Sequence, residues 1–295
     1  MNTIKCFTLA WSLTGNMNNG RQWHTASVLS NGRVLVTGGA NYNGTLYNSL
    51  NSSELYDPST GIWTTTGNMI NARYAHAESV LSNEKVLVTG GIGNSILNSA
   101  ELYDPSTGTW TTTSNMTDVR HSHTASVLSN GKVLIVGDAL NSAELYDPPT
   151  GTWITTGNMN NAPYFHTASV LSDGKVLATG GQNNNGYLNS AELYDPATGI
   201  WTTTGNMNNS RHAHTASVLS NEKVLVTGES SNGYLNTAEL YDPSTGTWTT
   251  TRNMNNARYI HTSSVLSNGT VLVTGGSSIS GVLNSAELYD PSKDT

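Results

Sequence analysis

The residues most able to do chemistry come in sets. His24, His76, His123, His166, His214 and His261 each open a copy of H-T-A-S-V-L or a near variant. Three residues ahead stands an arginine, at Arg21, Arg73, Arg120, Arg211 and Arg258, with Pro163 in the fourth copy. Glu54, Glu101, Glu144, Glu192, Glu239 and Glu287 repeat in the same phase. Imidazoles suit metal ligation or proton transfer. Guanidinium groups suit carboxylates, which a ligand or the glutamate set itself could supply. Catalysis finds less support, because the abundant serines and histidines are repeat text and no nucleophile, base and orienting acid hold unique positions. His121 and His212 break the pattern and leave room for a metal or a pH-sensitive partner. Neither has a second histidine or a carboxylate at a zinc spacing. No metal and no other cofactor is expected.

A repeat carries these side chains. The histidines are separated by 52, 47, 43, 48 and 47 residues, and Trp11, Trp63, Trp110, Trp153, Trp201 and Trp248 keep the same steps. Each copy holds four short β-patterned runs divided by turn signals. In the fourth copy three are His166–Leu171, Lys175–Thr179 and Ser190–Tyr194, with Thr152–Thr156 of the preceding copy counted as the fourth. Asn31-Gly32, Asn130-Gly131, Asp173-Gly174 and Asn268-Gly269 are two-residue hairpin signals, since both positions must accept positive φ. Asn83-Glu84 and Asn221-Glu222 fit that turn less well and are expected to be slightly strained. Each copy thus reads as a four-stranded antiparallel meander, strands a to d, whose two apolar faces only neighbouring copies can cover. In such radial sheets alternate side chains of strand a point at the next blade. The histidine set is therefore expected between blades, bonded to adjacent backbone.

Composition narrows the partners. The 295 residues are 11% charged, with 13 basic against 20 acidic side chains and a formal net charge of −7. No cluster of Lys and Arg exists to grip phosphates, which argues against nucleic acid and against an anionic membrane surface. No apolar run is long enough to span a bilayer. Cys6 is the only cysteine, so no internal disulfide is possible and the compartment stays open. The opening residues faintly resemble a signal peptide, but Trp11 to Met17 copies the repeat text W-T-T-T-G-N-M, which a cleaved leader would not carry.

An apolar strand ending in Gly-Gly, then Tyr, then Trp seven residues on, appears as Gly38-Gly39/Tyr56/Trp63, Gly90-Gly91/Tyr103/Trp110 and Gly180-Gly181/Tyr194/Trp201, and as Gly275-Gly276/Tyr289. This signature resembles the Kelch family over essentially the whole chain. Within that family the near-identical repeats are similar to rotifer-like or consensus-like arrays. The third and fifth copies depart, reading Gly137-Asp138 and Gly228-Glu229. The resemblance implies an all-β fold, a six-bladed Kelch β-propeller with four antiparallel strands per blade. The blade cores are expected near 21–69, 70–116, 117–159, 160–207, 208–254 and 255–295, the last joined by 4–17. After Tyr289 the next Trp would fall at position 296, so Phe7–Thr14 around Trp11 is expected to supply the outer strand of the last blade and make one closed domain. Copper chemistry of the galactose-oxidase-like kind needs a Cys cross-linked to a Tyr ligand, and Cys6 lies in the closing segment. A mutarotase-like sugar activity would use Arg with an acid, for which Asp138 and Glu229 are the candidates.

The copies also locate a binding face. His to the first Gly spans 14 residues in every copy, while the first Gly to Tyr spans 18, 13, 9, 14, 13 and 14. All length variation therefore falls in the b–c loop, which emerges at the same mouth as the d–a loop. Variable loops on a rigid scaffold are where binding residues sit. The residue before each histidine is the least repeated: Trp23, Ala75, Ser122, Phe165, Ala213 and Ile260. With the arginines, and with Tyr42, Tyr47, Gln182, Tyr187, Tyr234, Asp138 and Glu229 from the b–c loops, Trp23, Phe165, Ile260 and Ser122 are the candidate contacts. The expectation is a monomeric, non-enzymatic scaffold that holds a protein segment or a small polar ligand. A lectin or mutarotase-like propeller, or a purely structural array, are the alternatives.

Overall fold

Alternation and turn chemistry produce the meander again and again in a computed structural model that describes residues 14–138, 140–228 and 235–294. Blade 1 runs through strands a to d as Thr25–Val28, Val34–Thr37, Ser53–Asp57 and Ile62–Thr65. Blade 2 uses Ala77–Val80, Val86–Thr89, Ala100–Asp104 and Thr109–Thr112, and blade 3 uses Thr124–Val127, Val133–Val136, Ala143–Asp147 and Thr152–Thr156. Blade 4 follows with Thr167–Val170, Val176–Thr179, Ala191–Asp195 and Ile200–Thr203, and blade 5 with Thr215–Val218, Val224–Thr227, Ala238–Asp242 and Thr247–Thr250. Blade 6 has three strands among the described residues: Thr262–Val265, Val271–Thr274 and Ala286–Tyr289. The whole is a six-bladed, all-β propeller. Thr152–Thr156 pairs with Ala143–Asp147, so it completes the third blade and not the fourth. The turn between them is too short to let it reach another sheet.

Strand b explains why the blades stack. In blades 2 to 5 its V-L-V-T or similar text is buried on both faces, since each of these sheets is covered by a neighbour on either side. Leu134, Val136 and Met159 from one blade interleave with Val176, Ala178 and Tyr194 from the next. The Leu, Val and Met side chains among them are each worth about 1.5–3 kcal/mol when fully buried, which an isolated blade could not collect. A polar latch fixes the stacking angle. Thr66, Thr113, Thr156 and Thr204 meet the hydroxyls of Tyr103, Tyr146, Tyr194 and Tyr241 in the following blade at 2.8–2.9 Å. Beside the first latch, Gly67 N donates to Gly108 O at 2.9 Å. A Cβ on Gly67 would stand 2.4 Å from that oxygen, so the close approach requires glycine.

The junction between blades 6 and 1 differs. Thr14 and Gly15 repeat the latch on Tyr56 and Gly61, both at 3.0 Å. The expected closing strand around Trp11 lies outside the described residues. Elsewhere the first glycine of the pair packs against the next blade, as Gly90 does on the Arg120 carbonyl and His123. A Cβ on Gly275 would meet nothing nearer than Leu283 O of its own blade, 3.8 Å away. His24 is correspondingly exposed, whereas the other five repeat histidines are buried. A cavity of about 490 Å³ lies beside the last strand, lined by Met254, Leu266, Val273, Leu288 and Tyr289.

Three b–c loops are more ordered than their composition suggests. They fold into small ribbons, Ala40–Tyr42 with Tyr47–Ser49, Gln182–Asn183 with Gly186–Tyr187, and Ser277–Ser278 with Gly281–Val282. At the opposite mouth, Glu84 and Glu222 adopt φ of 67° and 69°, the strained turn position expected of them. Among the described residues no helix is long and apolar enough to cross a membrane.

Candidate functional site

The d–a linker of each blade turns sharply just before the repeat histidine. Trp23, Ala75, Ser122, Phe165, Ala213 and Ile260 all adopt left-handed backbone, with φ between 47° and 55°. This conformation costs an L-residue about 1–2 kcal/mol, and glycine would relieve it, yet none of the six is glycine. Main-chain bonds link them round the mouth. The amides of Ala75, Ser122, Phe165, Ala213 and Ile260 donate to the carbonyls of Trp23, Ala75, Ser122, Phe165 and Ala213, at 2.8–3.4 Å. One residue per blade thus forms a chain of hydrogen bonds.

The bulky members are exposed. Trp23 is 46% accessible, Phe165 47% and Ile260 63%, while Ser122 is half-buried. Around Trp23 an aromatic cluster assembles, with Tyr47 at 4.7 Å and Tyr74 at 5.4 Å between ring centroids, and Tyr42 4.9 Å beyond Tyr47. Tyr42 and Tyr47 are held there by the first ribbon, where they face each other across the strands. Tyr187 rests on His212 of the next blade at 4.2 Å, and Phe165 meets Tyr164 edge-on at 5.8 Å. Gln182 bridges to Tyr164 through the backbone and stays half-buried. Tyr74 was missing from the sequence-based set. Its signal was the position two before the histidine, which holds Tyr in three copies and His in two.

The arginines require a correction. Arg73, Arg120, Arg211 and Arg258 are fully buried, and the Arg21 side chain is equally inaccessible. Each guanidinium is consumed within its own blade. Arg73 donates to Gly90 O at 2.6 Å, to Ser99 O and Oγ at 3.0 Å, and to Glu101 Oε1 at 2.8 Å. Arg21, Arg120, Arg211 and Arg258 make the corresponding pairs with Glu54, Glu144, Glu239 and Glu287 at 2.7–3.3 Å. The glutamates in turn accept main-chain amides of the d–a linker, as Glu101 does from Ile70 and Asn71. These pairs lock the linker to strand c and turn these five guanidinium groups away from the mouth.

Asp138 also turns inward. It occupies the second glycine position at φ 80°, is almost buried, accepts His121 N at 2.8 Å and pairs with His121 Nδ1. Its carboxylate is turned onto His121. Glu229 and Tyr234 lie outside the described residues. No group of three metal-ligating side chains occurs among the described residues.

Five of the six repeat histidines, all but the exposed His24, sit between blades, though bonded differently from expectation. Their Nε2 atoms meet threonine hydroxyls of the preceding blade, as His76 does Thr25 at 2.8 Å and His123 does Thr89 at 2.9 Å. Threonine reaches them because strands a and b both present it at the blade face. Burial pushes His76 down to about 3 and His166 and His261 down to about 4, so these imidazoles are neutral at physiological pH.

The chain matches the Kelch motif over residues 24–70, 73–117, 163–208 and 211–255. No curated protein matches it significantly.

Proposed function

The chain belongs to the Kelch family, and on that premise we propose that it is a non-enzymatic binding scaffold whose b–c and d–a mouth holds a protein segment or a small polar ligand. Kelch propellers commonly serve protein interaction. One observation carries the reading: Trp23, Phe165 and Ile260 are large, exposed and held in left-handed backbone. Strain and exposed apolar surface both count against such residues in a mere scaffold, and a ligand that covers them supplies the compensating gain. Because the five repeat arginines are spent on glutamates, the described residues of the mouth offer mainly aromatic faces and neutral amides. That favours an uncharged partner surface over phosphate-bearing ones, and hence neither nucleic acid nor membrane. We take the propeller to act as a monomer.

A sugar ligand is the second reading. It is favoured by the aromatic cluster at Trp23 and by a cleft of about 280 Å³ lined by Asn141, Asn160, Asn161, Asn183, Asn184 and Asn185. Immobilised protein screened against displayed peptides and a glycan array separates the two. Trp23→Ala and Phe165→Ala are each expected to weaken the selected ligand about tenfold or more. Unchanged binding of every selected ligand in both variants sinks the mouth as the site, and signal on glycans alone selects the sugar reading.

A further inference from the structure

The fourth blade breaks the arginine–glutamate rule in a way that leaves a hole of defined chemistry. Where five blades place arginine, it has Pro163, yet Glu192 remains and is 2% exposed. Glu192 accepts only amides: Asn160 N and Nδ2 at 2.8 and 2.9 Å, and Asn161 N and Nδ2 at 3.0 and 3.3 Å. Among the described residues it has no ion-pair partner. Removing one partner of a buried ion pair leaves an uncompensated charge in low dielectric, an arrangement that is ordinarily costly.

The other acceptors of the missing guanidinium are still in place. In blades 2, 5 and 6 the two terminal nitrogens take four oxygens: the first-glycine carbonyl, a carbonyl and a hydroxyl at the start of strand c, and the glutamate Oε1. The fourth-blade equivalents are Gly180 O, Ser190 O, Ser190 Oγ and Glu192 Oε1. No donor among the described residues reaches Gly180 O. Pro163, Gly180, Ser190 and Glu192 line one small cavity of about 10 Å³, roughly the room of a single water-sized sphere.

We propose that this cavity is a site for one compact monovalent cation, which takes the oxygens that a guanidinium takes in the other blades. All four candidate ligands are oxygens, which suits a hard cation. A single carboxylate among neutral oxygens balances one positive charge. Calcium and magnesium are disfavoured, since calcium wants six to eight oxygens and magnesium an octahedral shell still holding water. The site lies in the scaffold and is independent of what the mouth binds.

The test is thermal unfolding at fixed ionic strength, with tetramethylammonium replaced stepwise by sodium, potassium or ammonium. Tm is expected to climb with the logarithm of one small cation, as linkage requires, and the most effective ion identifies the occupant. Pro163→Arg supplies the guanidinium internally and also restores an N–H facing Leu140 O, where Arg73 N donates to Leu50 O at 3.0 Å. That variant is expected to melt higher and lose the cation response. Glu192→Gln should lose the response without the gain; should it fail to fold, Pro163→Arg alone decides. A rubidium-soaked crystal is expected to show an anomalous peak between Gly180 O and Glu192. Equal Tm in all four salts, a response that survives Pro163→Arg, or water alone in the cavity would each overturn the proposal.

Discussion

Ile260 shows what the mouth demands of single residues. A β-branched side chain at φ 51° is held against its own preference, and at 63% exposure it gains little burial in return. Ile260→Gly is expected to raise the urea-unfolding free energy by about 1 kcal/mol while weakening whatever the mouth binds. A loss of stability would mean that the side chain is a packing element. Arg73 predicts the opposite behaviour. Arg73→Ala strands Glu101 in the interior and should cost about 3–5 kcal/mol. In a cycle with Glu101→Gln the double variant should lose clearly less than the sum, and simple additivity would argue against a coupled pair.

Strand a of blade 2 holds the least regular interior residue. Glu78 stands where the neighbouring blades have Ala26 and Ala125, and its Oε2 accepts the hydroxyls of Thr25 at 2.6 Å and Thr37 at 2.7 Å. Burial raises its pKa despite those bonds. A carboxyl whose folded pKa is raised favours the fold while protonated and opposes it as pH rises through the folded value. Glu78→Ala should therefore stabilise the protein at pH 8, by about 1 kcal/mol, and less at pH 5; equal gains at both would show that charge is not the cause. Nothing but its failure to repeat marked Glu78 in the sequence. Repetition made the meander and the blade number legible, because period and turn chemistry are local. It hid what depends on the third dimension. The arginines read either as ligand contacts or as partners of the glutamate set, because those glutamates lie about 30 residues on, and the left-handed turns were invisible because none uses glycine. The ribbons in the b–c loops were unreadable for a similar reason, their short strands having no apolar alternation.

The five buried histidines, one in each of five blades, make the pH response a property of the whole propeller. His76 titrates at about 3 and His166 and His261 at about 4, with His123 and His214 also well below the ordinary value of 6.5. Burial is the chief cause in each, and the nearby arginine of the same linker adds to it for all but His166, whose blade has Pro163 instead. Between about pH 4 and 6.5 the unfolded chain binds these protons and the folded one does not. Stability is therefore complete above 6.5 and lost as pH falls, with a slope of up to about 1.4 kcal/mol per pH unit for each histidine. Lowered carboxyls such as Glu54 and Glu287 add their loss only below about 4.5. Tm should accordingly fall steeply between pH 6.5 and 5, and calorimetry in buffers of different ionisation enthalpy should report an uptake of up to five protons on unfolding at pH 5. His166→Gln, which retains a hydrogen-bonding side chain but cannot ionise, should remove about one of them. A flat Tm across that range would mean that the histidines are hydrated in solution, and the blades would then be packed less tightly than their threonine contacts require.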